Sequence, residues 1–467
     1  MPTATLAPAW SCRPRPRSTL ITFEPCVLAI LAVPSLEPPS ATIISTLKAA
    51  WSTCSASSVA FRCVAAFKVG MTTLRSICAT HVSMFLIRSY NSFYAHVMQP
   101  LNPEKIPESA RRGRGALSNA TNRFDPQKRL KHDEDFAFDD GWHDSDEAPE
   151  PIETEVTVDR TQSIIARNKS PDVGFDRSIN PYRGCEHGCI YCFARPTHAY
   201  LGLSPGLDFE TRILAKPDAA RLLDRELRRS TYQCRPIALG TNTDPYQPVE
   251  RGWRVTRSIL EVLHTFKHPF TIVTKSALVV RDLDIIAPMA AERLARVAIS
   301  ITTLDRRLAR SMEPRAATPT KRLETVRRLV DAGVPTSVMV APLIPALNDS
   351  ELERILQEAA KSGAASASYV LLRLPLEIKE LFYEWLHRNQ PLKAERVIAH
   401  IRETRGGRDY DSTFRKRQIG EGPYAELLAN RFRLASRRLG LDHELVPLDS
   451  NRFQVPIATQ SQMSLFD

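Results

Sequence analysis

The chain has 467 residues, of which 25% are charged and 43% hydrophobic, and a formal net charge of +11. These proportions are ordinary for a globular protein, and no stretch approaches the roughly 18 consecutive apolar residues that indicate a transmembrane helix. Residues 1–97 hold eight Lys/Arg and two Asp/Glu, so they carry +6 of the charge. The remaining +5 is too small to indicate nucleic-acid binding by itself.

Residues 1–97 also differ in composition from the rest of the chain. They contain no Asp, five of the nine cysteines and abundant Ser, Thr, Ala and Pro, and those cysteines show no metal-ligand spacing. We expect Met98 to be the natural start and residues 1–97 to be a non-native or disordered extension. The rival interpretation is a transit-like or regulatory extension, which an acid-poor, Ser-rich composition also fits.

Residues 98–155 are expected to form a disordered, acidic linker. Between Asp133 and Glu155 there are eleven Asp/Glu and no Lys/Arg, and a block of like charge usually stays solvated and unstructured. An alternative is that this block covers a basic groove.

Three cysteines, Cys185, Cys189 and Cys192, form a C-x3-C-x2-C run. A structural zinc site is normally closed by four ligands, and iron–sulfur clusters are typically held by four cysteines. Three close thiols therefore predict a cluster with one iron left open for chemistry. Two alternatives stay open here: three unrelated buried thiols, or zinc bound with help from His187 or His198. Thiolate ligands of iron favour a reducing, cytoplasmic location.

Beyond Glu155, apolar strand-like runs alternate with helix-periodic segments. The expected strands are Phe175–Tyr182, Pro236–Gly240, Phe270–Thr274, Val297–Thr302, Pro335–Ala341 and Tyr369–Leu374. The expected helices are Lys216–Arg229, Trp253–Thr265, Arg281–Ala291, Thr320–Ala332 and Asp349–Ser362. Connected units of this kind predict an α/β fold with a parallel sheet and right-handed crossovers. After Leu386 the chain becomes mainly helical and Arg-rich, including Ala425–Leu439.

The cysteine spacing, with Tyr191 before the last cysteine, resembles the radical S-adenosylmethionine (SAM) superfamily. Three further segments are similar to an uncharacterised bacterial branch of it that is related to spore photoproduct lyase: Ser170–Gly184, Thr241–Glu250 and Met312–Arg315. The resemblance implies a partial (β/α)6, TIM-like barrel over residues 156–385. A helical region over 386–455 and a flexible tail over 456–467 would follow it.

The resemblance also implies a [4Fe-4S] cluster held by Cys185, Cys189 and Cys192, whose fourth iron binds the amino and carboxylate groups of SAM. An electron passed through the cluster would cleave the sulfonium and release a 5′-deoxyadenosyl radical, which abstracts hydrogen from a substrate. The electron donor is expected to be of the flavodoxin or ferredoxin type.

Residues at strand ends take cofactor-binding roles by the same resemblance, since active groups of such barrels lie there. Tyr191 would pack on the adenine, the run Thr241, Asn242, Thr243 and Asp244 would hold the methionyl amino group, and Lys275 would pair with the carboxylate. Ser300 and Thr302 are candidates for the ribose hydroxyls, and Leu343 or Ile344 for an apolar contact with the adenine. The alternatives are an aromatic filler at Tyr191, a turn cap at 241–244, a solvated Lys275 and core positions for Leu343 and Ile344.

Three further residues bear on the chemistry, although no catalytic residue is identified. Glu313 and Arg315 flank a proline and are expected to form an ion pair, at the pocket or on the surface. Arg373, the one charge in its strand, is expected to face the substrate. Photoproduct lyases carry a cysteine near the end of the second strand that returns a hydrogen atom. Here Cys234 lies before that strand, which counts against the same repair reaction.

The last residues, Gln462–Phe466, resemble the short peptide by which bacterial DNA-repair proteins bind the sliding clamp; a frayed terminus is the alternative. We therefore predict a radical SAM enzyme, lyase-like or modifying, whose substrate is a nucleic-acid lesion or a modified base. A different class of answer is a non-catalytic adaptor, stabilised by metal, that binds the clamp.

Overall fold

The computed structural model describes residues 113–124 and 152–456, and the account below concerns those residues. The strands are β1 (Glu155–Val158), β2 (Ala166–Arg167), β3 (Arg177–Ile179), β4 (Tyr182–Arg183), β5 (Arg212–Ala215), β6 (Ile237–Leu239), β7 (Phe270–Thr274), β8 (Ala295–Ser300), β9 (Thr336–Leu343) and β10 (Ser366–Leu371). The α-helices are α1 (Asp208–Thr211), α2 (Ala219–Leu227), α3 (Glu250–Trp253), α4 (Val255–Thr265), α5 (Leu283–Ala291), α6 (Arg306–Met312), α7 (Pro319–Asp331), α8 (Leu352–Lys361), α9 (Ile378–Asn389), α10 (Ala394–Glu403), α11 (Lys416–Ile419) and α12 (Pro423–Arg438). Short 3-10 helices lie at Arg195–Leu201, Ala277–Asp282, Asp349–Glu351 and Ser450–Arg452.

Seven strands form one sheet in the order β10-β9-β8-β7-β6-β3-β2. Six of them, β3 and β6 to β10, run parallel, and β2 pairs antiparallel with β3 at the edge. Because helices join consecutive parallel strands, this is the partial (β/α)6 barrel expected from the sequence. All six expected strands are present.

The five expected helices are α2, α4, α5, α7 and α8, and each lies within a few residues of its expected bounds. The ends of α7 show why a sequence can predict such bounds. Thr318 accepts a hydrogen bond from the backbone N–H of Lys321 at 3.4 Å, and Gly333 just past the helix has a φ of 75°. The buried face of this helix includes Val326 and Leu329.

The main core lies between the sheet and these helices. Inward-facing strand residues such as Ile237, Ile272, Val297 and Val338 are almost completely buried in it. Burying one such side chain stabilises the fold by about 1.5–3 kcal/mol. The core therefore fixes the relative positions of the strands, and with them the loops that leave their C-terminal ends.

Two features were not expected from the sequence. One is a three-stranded sheet of order β1-β5-β4, in which Glu155 of β1 lies opposite Arg212 of β5. Its strands have two to four residues, too few for an apolar pattern to be visible. The other is α6, a two-turn helix whose first turn is capped by Asp305, which accepts from the backbone N–H of Arg307 at 2.7 Å.

The region after Leu386 is helical, as expected. α9 and α10 belong to a second apolar cluster that includes Ile190 and Tyr191 of the cysteine run. α12 packs instead on α8, where Arg431 pairs with Glu353 at 2.7 Å. No helix among the residues that the structure describes is both long enough and apolar enough to cross a membrane.

Candidate active site

The three cysteines lie in a loop (residues 184–194, the cysteine loop) that follows β4. Cys185 and Cys189 are buried and Cys192 is half-buried. The backbone N–H of Cys185 donates to the carbonyl of Phe209 at 2.9 Å, which ties the loop to the neighbouring chain. Gly188 has a φ of 66°, and a Cβ there would lie 2.7 Å from Glu210 Oε2. Glycine is therefore needed where the loop passes this carboxylate.

A buried ion pair supports the cysteine loop. Arg195 Nη2 lies 2.5 Å from Glu210 Oε1, and both side chains are fully buried. Arg195 Nε also donates to the carbonyl of Cys189 at 2.9 Å. Because an unpaired charge would remain buried, removing either partner of such a pair costs about 3–5 kcal/mol. The pair therefore holds the backbone of Cys189 in one position.

Residues 113–124 (the N-terminal segment), expected to be disordered, are packed against the cysteine loop. The backbone N–H groups of Gly115 and Ala116 both donate to Glu210 at 2.8 Å. A Cβ on Gly115 would lie 1.8 Å from the carbonyl oxygen of Gly188. The backbone of the N-terminal segment therefore contacts the backbone of the cysteine loop at this point. The expectation is wrong for this segment because its order comes from the buried Glu210, about 95 residues away in sequence.

The thiols are suited to a metal centre. Burial raises the pKa of all three cysteines, and the nearby carboxylates of Asp244 and Glu313 raise it further for Cys185 and Cys189, respectively. A thiol of this kind becomes a thiolate when it bonds to a metal. No three His, Cys, Asp or Glu side chains of the described residues are grouped to hold a single ion, whereas each cysteine of a cubane cluster bonds a different iron. The three thiols, two buried and one half-buried, form no disulfide and therefore fit a [4Fe-4S] cluster.

The loop after β6 packs on the cysteine loop. Gln247 accepts from the backbone N–H of Glu186 at 2.8 Å and donates to the carbonyl of Gly184 at 3.1 Å. The Thr243 hydroxyl donates to the carbonyl of Tyr182 at 2.8 Å, so this side chain is committed to the fold. The role of Gln247 was not anticipated, because a glutamine in a polar run gives no sign of which backbone it will contact.

Asp244 is half-buried, with 10% of its side chain exposed, and both carboxylate oxygens are bonded. Oδ1 accepts from the Thr274 hydroxyl at 2.7 Å, and Oδ2 accepts from the backbone N–H of Lys275 at 2.8 Å and lies 3.3 Å from His187 Nδ1. Although burial opposes ionisation, His187 and these donors lower the pKa of Asp244 to about 2. Asp244 thus places a fixed negative charge beside the cysteine loop.

Thr241 and Asn242 differ from their two neighbours. Both are half-buried, and their side chains make no hydrogen bond among the described residues. The Asn242 backbone is fixed, since its N–H donates to Asn180 Oδ1 at 3.1 Å. Of the four predicted residues in this run, Thr241 and Asn242 are therefore the two whose side chains are free to bind a ligand.

Lys275 extends from the end of β7 across the interior of the barrel. Its Nζ donates to the Ser300 hydroxyl at 3.0 Å and to the Ala341 carbonyl at 3.4 Å, and it lies 5.7 Å from the centre of the Tyr191 ring. Burial lowers the pKa of this ammonium, while the neighbouring Cys189 raises it. No carboxylate lies within 4 Å of Nζ among the described residues. Lys275 is thus a half-buried cation that can accept an anionic group.

Glu313 joins three elements at the barrel mouth. It accepts from the Tyr191 hydroxyl, from Thr302 Oγ1 at 2.6 Å and from Arg322 Nη2, and the carboxylate is buried. The expected ion pair between Glu313 and Arg315 is wrong. Arg315 instead lies 3.1 Å from Glu186, because the Glu313 carboxylate is already paired with Arg322 of α7.

The two apolar candidates lie on opposite sides of the β9 end. Leu343 is buried in the main core, whereas Ile344 is buried in the cluster that also contains Cys189 and Tyr191. Only Ile344 therefore shares an apolar environment with the cysteine loop.

The two candidate histidines have structural partners. His187 contacts Asp244 as described above, and His198 lies edge-on to Phe209 with Nε2 3.0 Å from the carbonyl of Arg212. Burial lowers the pKa of His198 to about 4. Cys234 precedes β6 and so lies toward the opposite end of the barrel from the cysteine loop, as the sequence indicated.

Arg373 follows β10 and reaches the cysteine loop. Its guanidinium carbon lies 4.9 Å from the centre of the Phe193 ring, directly after Cys192. Its Nε is buried and has no hydrogen-bond partner.

Several segments with sequence-based expectations lie outside the described residues: residues 1–97, the acidic block up to residue 151 and the Gln462–Phe466 peptide. What the sequence indicates for them stays a prediction.

Comparison with known proteins identifies the region that carries this site. The model of the radical SAM superfamily matches residues 179–359. An uncharacterized protein of Mycobacterium tuberculosis is 36% identical over 309 residues, which are 65% of this chain and 87% of that protein. An uncharacterized protein of Methanocaldococcus jannaschii is 25% identical over 46% of this chain and 76% of its own length.

Solved structures show weaker likeness. A mutant of spore photoproduct lyase is 18% identical and aligns over 61% of this chain and 78% of its own, with a TM-score of 0.40. Streptococcus suis SuiB bound to S-adenosylmethionine is 14% identical and aligns over 47% of each chain, with a TM-score of 0.33.

Proposed function

This chain belongs to the radical SAM superfamily and is an enzyme that uses a [4Fe-4S] cluster and SAM, and from that premise we propose the roles of its residues. Cys185, Cys189 and Cys192 each bond one iron and leave the fourth iron for SAM. The observation that carries this proposal is the set of three free thiols, two buried and one half-buried, on a loop held in place by Arg195 and Glu210. When bound, such a cluster would supply the electron for reductive cleavage of the sulfonium of SAM, and with it the 5′-deoxyadenosyl group that would abstract hydrogen from the substrate.

The free polar groups at the strand ends are proposed to bind SAM. Lys275, a half-buried cation without a carboxylate partner among the described residues, binds the methionyl carboxylate. Thr241 and Asn242 accept hydrogen bonds from the methionyl amino group. Thr243 and Asp244 position these residues through their own bonds to the fold.

The adenine and ribose are proposed to lie between β8 and β9. Tyr191, whose hydroxyl is fixed by Glu313, presents its ring face to the adenine from one side, and Ile344 packs from the other, with Leu343 behind it in the core. Ser300 is a candidate for binding the ribose hydroxyls. Its hydroxyl would become available when Lys275 exchanges its hydrogen bond to Ser300 for the methionyl carboxylate. The apolar residues around the cysteine loop exclude water from the reacting atoms.

A nucleic-acid lesion or modified base is the substrate that we propose. Its support is the similarity of Ser170–Gly184 and Thr241–Glu250 to the branch that is related to spore photoproduct lyase. No cysteine follows Cys234 in the sequence, so no thiol after β6 returns a hydrogen atom to the product radical. We therefore propose a related reaction with a different final step, with a small electron carrier as the reductant.

Anaerobic reconstitution with iron and sulfide tests the proposal. The expected result is a brown protein with about four irons per chain that forms 5′-deoxyadenosine from SAM when dithionite is added. Cys189→Ala should lose both the cluster and this product. Cys234→Ala is the matched control, because this thiol lies away from the loop, and it should retain both. A colourless wild-type protein, or product formation by Cys189→Ala equal to wild type, would contradict the ligand assignment.

A further inference from the structure

The open side of the partial barrel is bridged by residues 404–421 (the C-terminal loop). At one end Arg405 donates to the carbonyl of Leu372, just after the last strand, at 2.8 Å. At the other end Asp172, which precedes the first barrel strand, accepts from the backbone N–H of Arg415 at 2.5 Å and from the side chain of Arg417. The loop therefore connects the two edges of the sheet beside the cysteine loop.

Two guanidinium groups at this bridge have no carboxylate within 4 Å among the described residues. Arg373 is half-buried and makes no hydrogen bond in the part of the chain that the structure describes, although its Nε is buried. Arg405 is buried and donates only to backbone carbonyls, those of Leu372 and Lys416. Asp172 attracts Arg373, and Asp411 and Glu421 attract Arg405, only at longer range. Because a buried guanidinium is normally bonded to a partner, this arrangement favours an anionic ligand at Arg373.

The carboxylates nearby are already used. Asp172 is bonded by the side chain of Arg417, Asp411 lies 3.3 Å from Arg408, and Glu421 lies 2.5 Å from Lys416. None of the three is within 4 Å of Arg373 or Arg405. The Arg373 guanidinium is therefore attracted by Asp172 at longer range but is bonded to no carboxylate among the described residues.

The surroundings suit a ligand larger than a simple ion. Phe193, on which Arg373 stacks, is 42% exposed and offers a flat face at the mouth of the barrel. A cavity of about 530 Å³ begins at Leu374, the residue after Arg373. Its lining also includes Lys379, Arg402, Arg408, Asp409 and Tyr410. The cations of this lining pair with Asp409 or Asp411, so the cavity supplies space beside Arg373 rather than free positive charge.

We propose that Arg373, supported by Arg405, binds a phosphate group of the substrate, with Phe193 as the adjoining stacking surface. Guanidinium groups bind phosphate through two parallel hydrogen bonds, and aromatic faces stack on nucleic-acid bases. Lys275 is already assigned to the carboxylate of SAM. The anion that binds Arg373 would therefore belong to the substrate. This inference rests on the proposed function, because it identifies the substrate of that same site as a nucleotide or nucleic acid.

Binding of thymidine 5′-monophosphate to the reconstituted protein tests the inference by anaerobic calorimetry, with SAM binding measured in parallel. Arg373→Gln should lower the affinity for the nucleotide by about 10- to 100-fold, which is the effect of losing a charge-assisted hydrogen bond. The affinity for SAM should stay within about twofold of the wild-type value. Arg373→Lys keeps the charge without the planar fork and should recover part of the loss. Arg433→Gln is the control, since this exposed arginine bonds only Asn430.

Three results would overturn the inference. These are no nucleotide binding by the wild-type protein, equal affinity in Arg373→Gln and wild type, or a loss of SAM affinity instead, which would assign Arg373 to the cosubstrate. The melting temperature of Arg373→Gln, expected to equal or exceed that of wild type because an unpaired charge is removed, shows that the variant is folded. Formation of 5′-deoxyadenosine by the wild-type protein is scored separately, so that failure of the proposed function is distinguished from failure of this subsite.

Discussion

Replacing Gly115 with alanine tests whether the N-terminal segment supports the cysteine loop. The new Cβ would lie 1.8 Å from the Gly188 carbonyl oxygen. To relieve this contact, the N-terminal segment and the cysteine loop must separate by about 1 Å or more. That displacement breaks the two 2.8 Å hydrogen bonds to the Glu210 carboxylate. Because a hydrogen bond to a charged group contributes about 1.5–3 kcal/mol, we expect the free energy of unfolding to fall by about 3–6 kcal/mol.

Urea unfolding measures this loss, and limited trypsin digestion shows where it arises. In the wild-type protein Arg114 donates to the carbonyls of Ile152 at 2.7 Å and Glu210 at 3.0 Å, which should protect the adjacent peptide bond. Gly115→Ala should increase cleavage after Arg114 and reduce the iron retained after reconstitution. Gly174→Ala is the control, because a Cβ there meets nothing within 4 Å. Equal stability, cleavage and iron content in the two variants would show that the N-terminal segment does not support the cysteine loop.

The remaining predictions concern the site and one buried histidine. Lys275→Met should raise the Kd for SAM at least about tenfold by removing the cation for its carboxylate, as calorimetry would show; an unchanged Kd contradicts that role. Tyr191→Phe removes the hydroxyl bonded to Glu313 and should destabilise the protein by about 1–3 kcal/mol in urea unfolding, whereas a change below about 0.5 kcal/mol would exclude a contribution from that bond. Burial lowers the pKa of His268 to about 4, below its ordinary value of about 6.5, so its stabilisation is present above pH 6.5 and is lost as the pH falls toward 4. Wild type should therefore lose about 2–3 kcal/mol more than His268→Gln between pH 7 and pH 4.5, and equal losses would contradict the lowered pKa.

The barrel could be predicted because its signal is local. Each of the six parallel strands coincides with an apolar run, and Gly333 marks the end of α7 as expected. The cysteine spacing likewise indicated a metal centre without any knowledge of the fold. Within the run after β6, the sequence could not separate Thr243, whose hydroxyl bonds a carbonyl, from Asn242, whose side chain is free.

The supports of the site could not be predicted because they depend on distant contacts. Glu210 looks like a surface residue in a polar stretch, yet it is fully buried and organises Arg195 and the N-terminal segment. Glu313 has Arg315 two positions away, but it pairs with Arg322. Nearness in sequence does not predict the partner of Glu313, because the packing of α7 against the end of β8 brings Arg322 to this carboxylate.

Mössbauer spectroscopy of protein reconstituted anaerobically with iron-57 shows directly whether three cysteines leave one iron open. We expect a [4Fe-4S] cluster in which one of four irons changes its signal when SAM is added, because Cys185, Cys189 and Cys192 bind only the other three. A spectrum without a cubane cluster, or one in which no iron site responds to SAM, would contradict it.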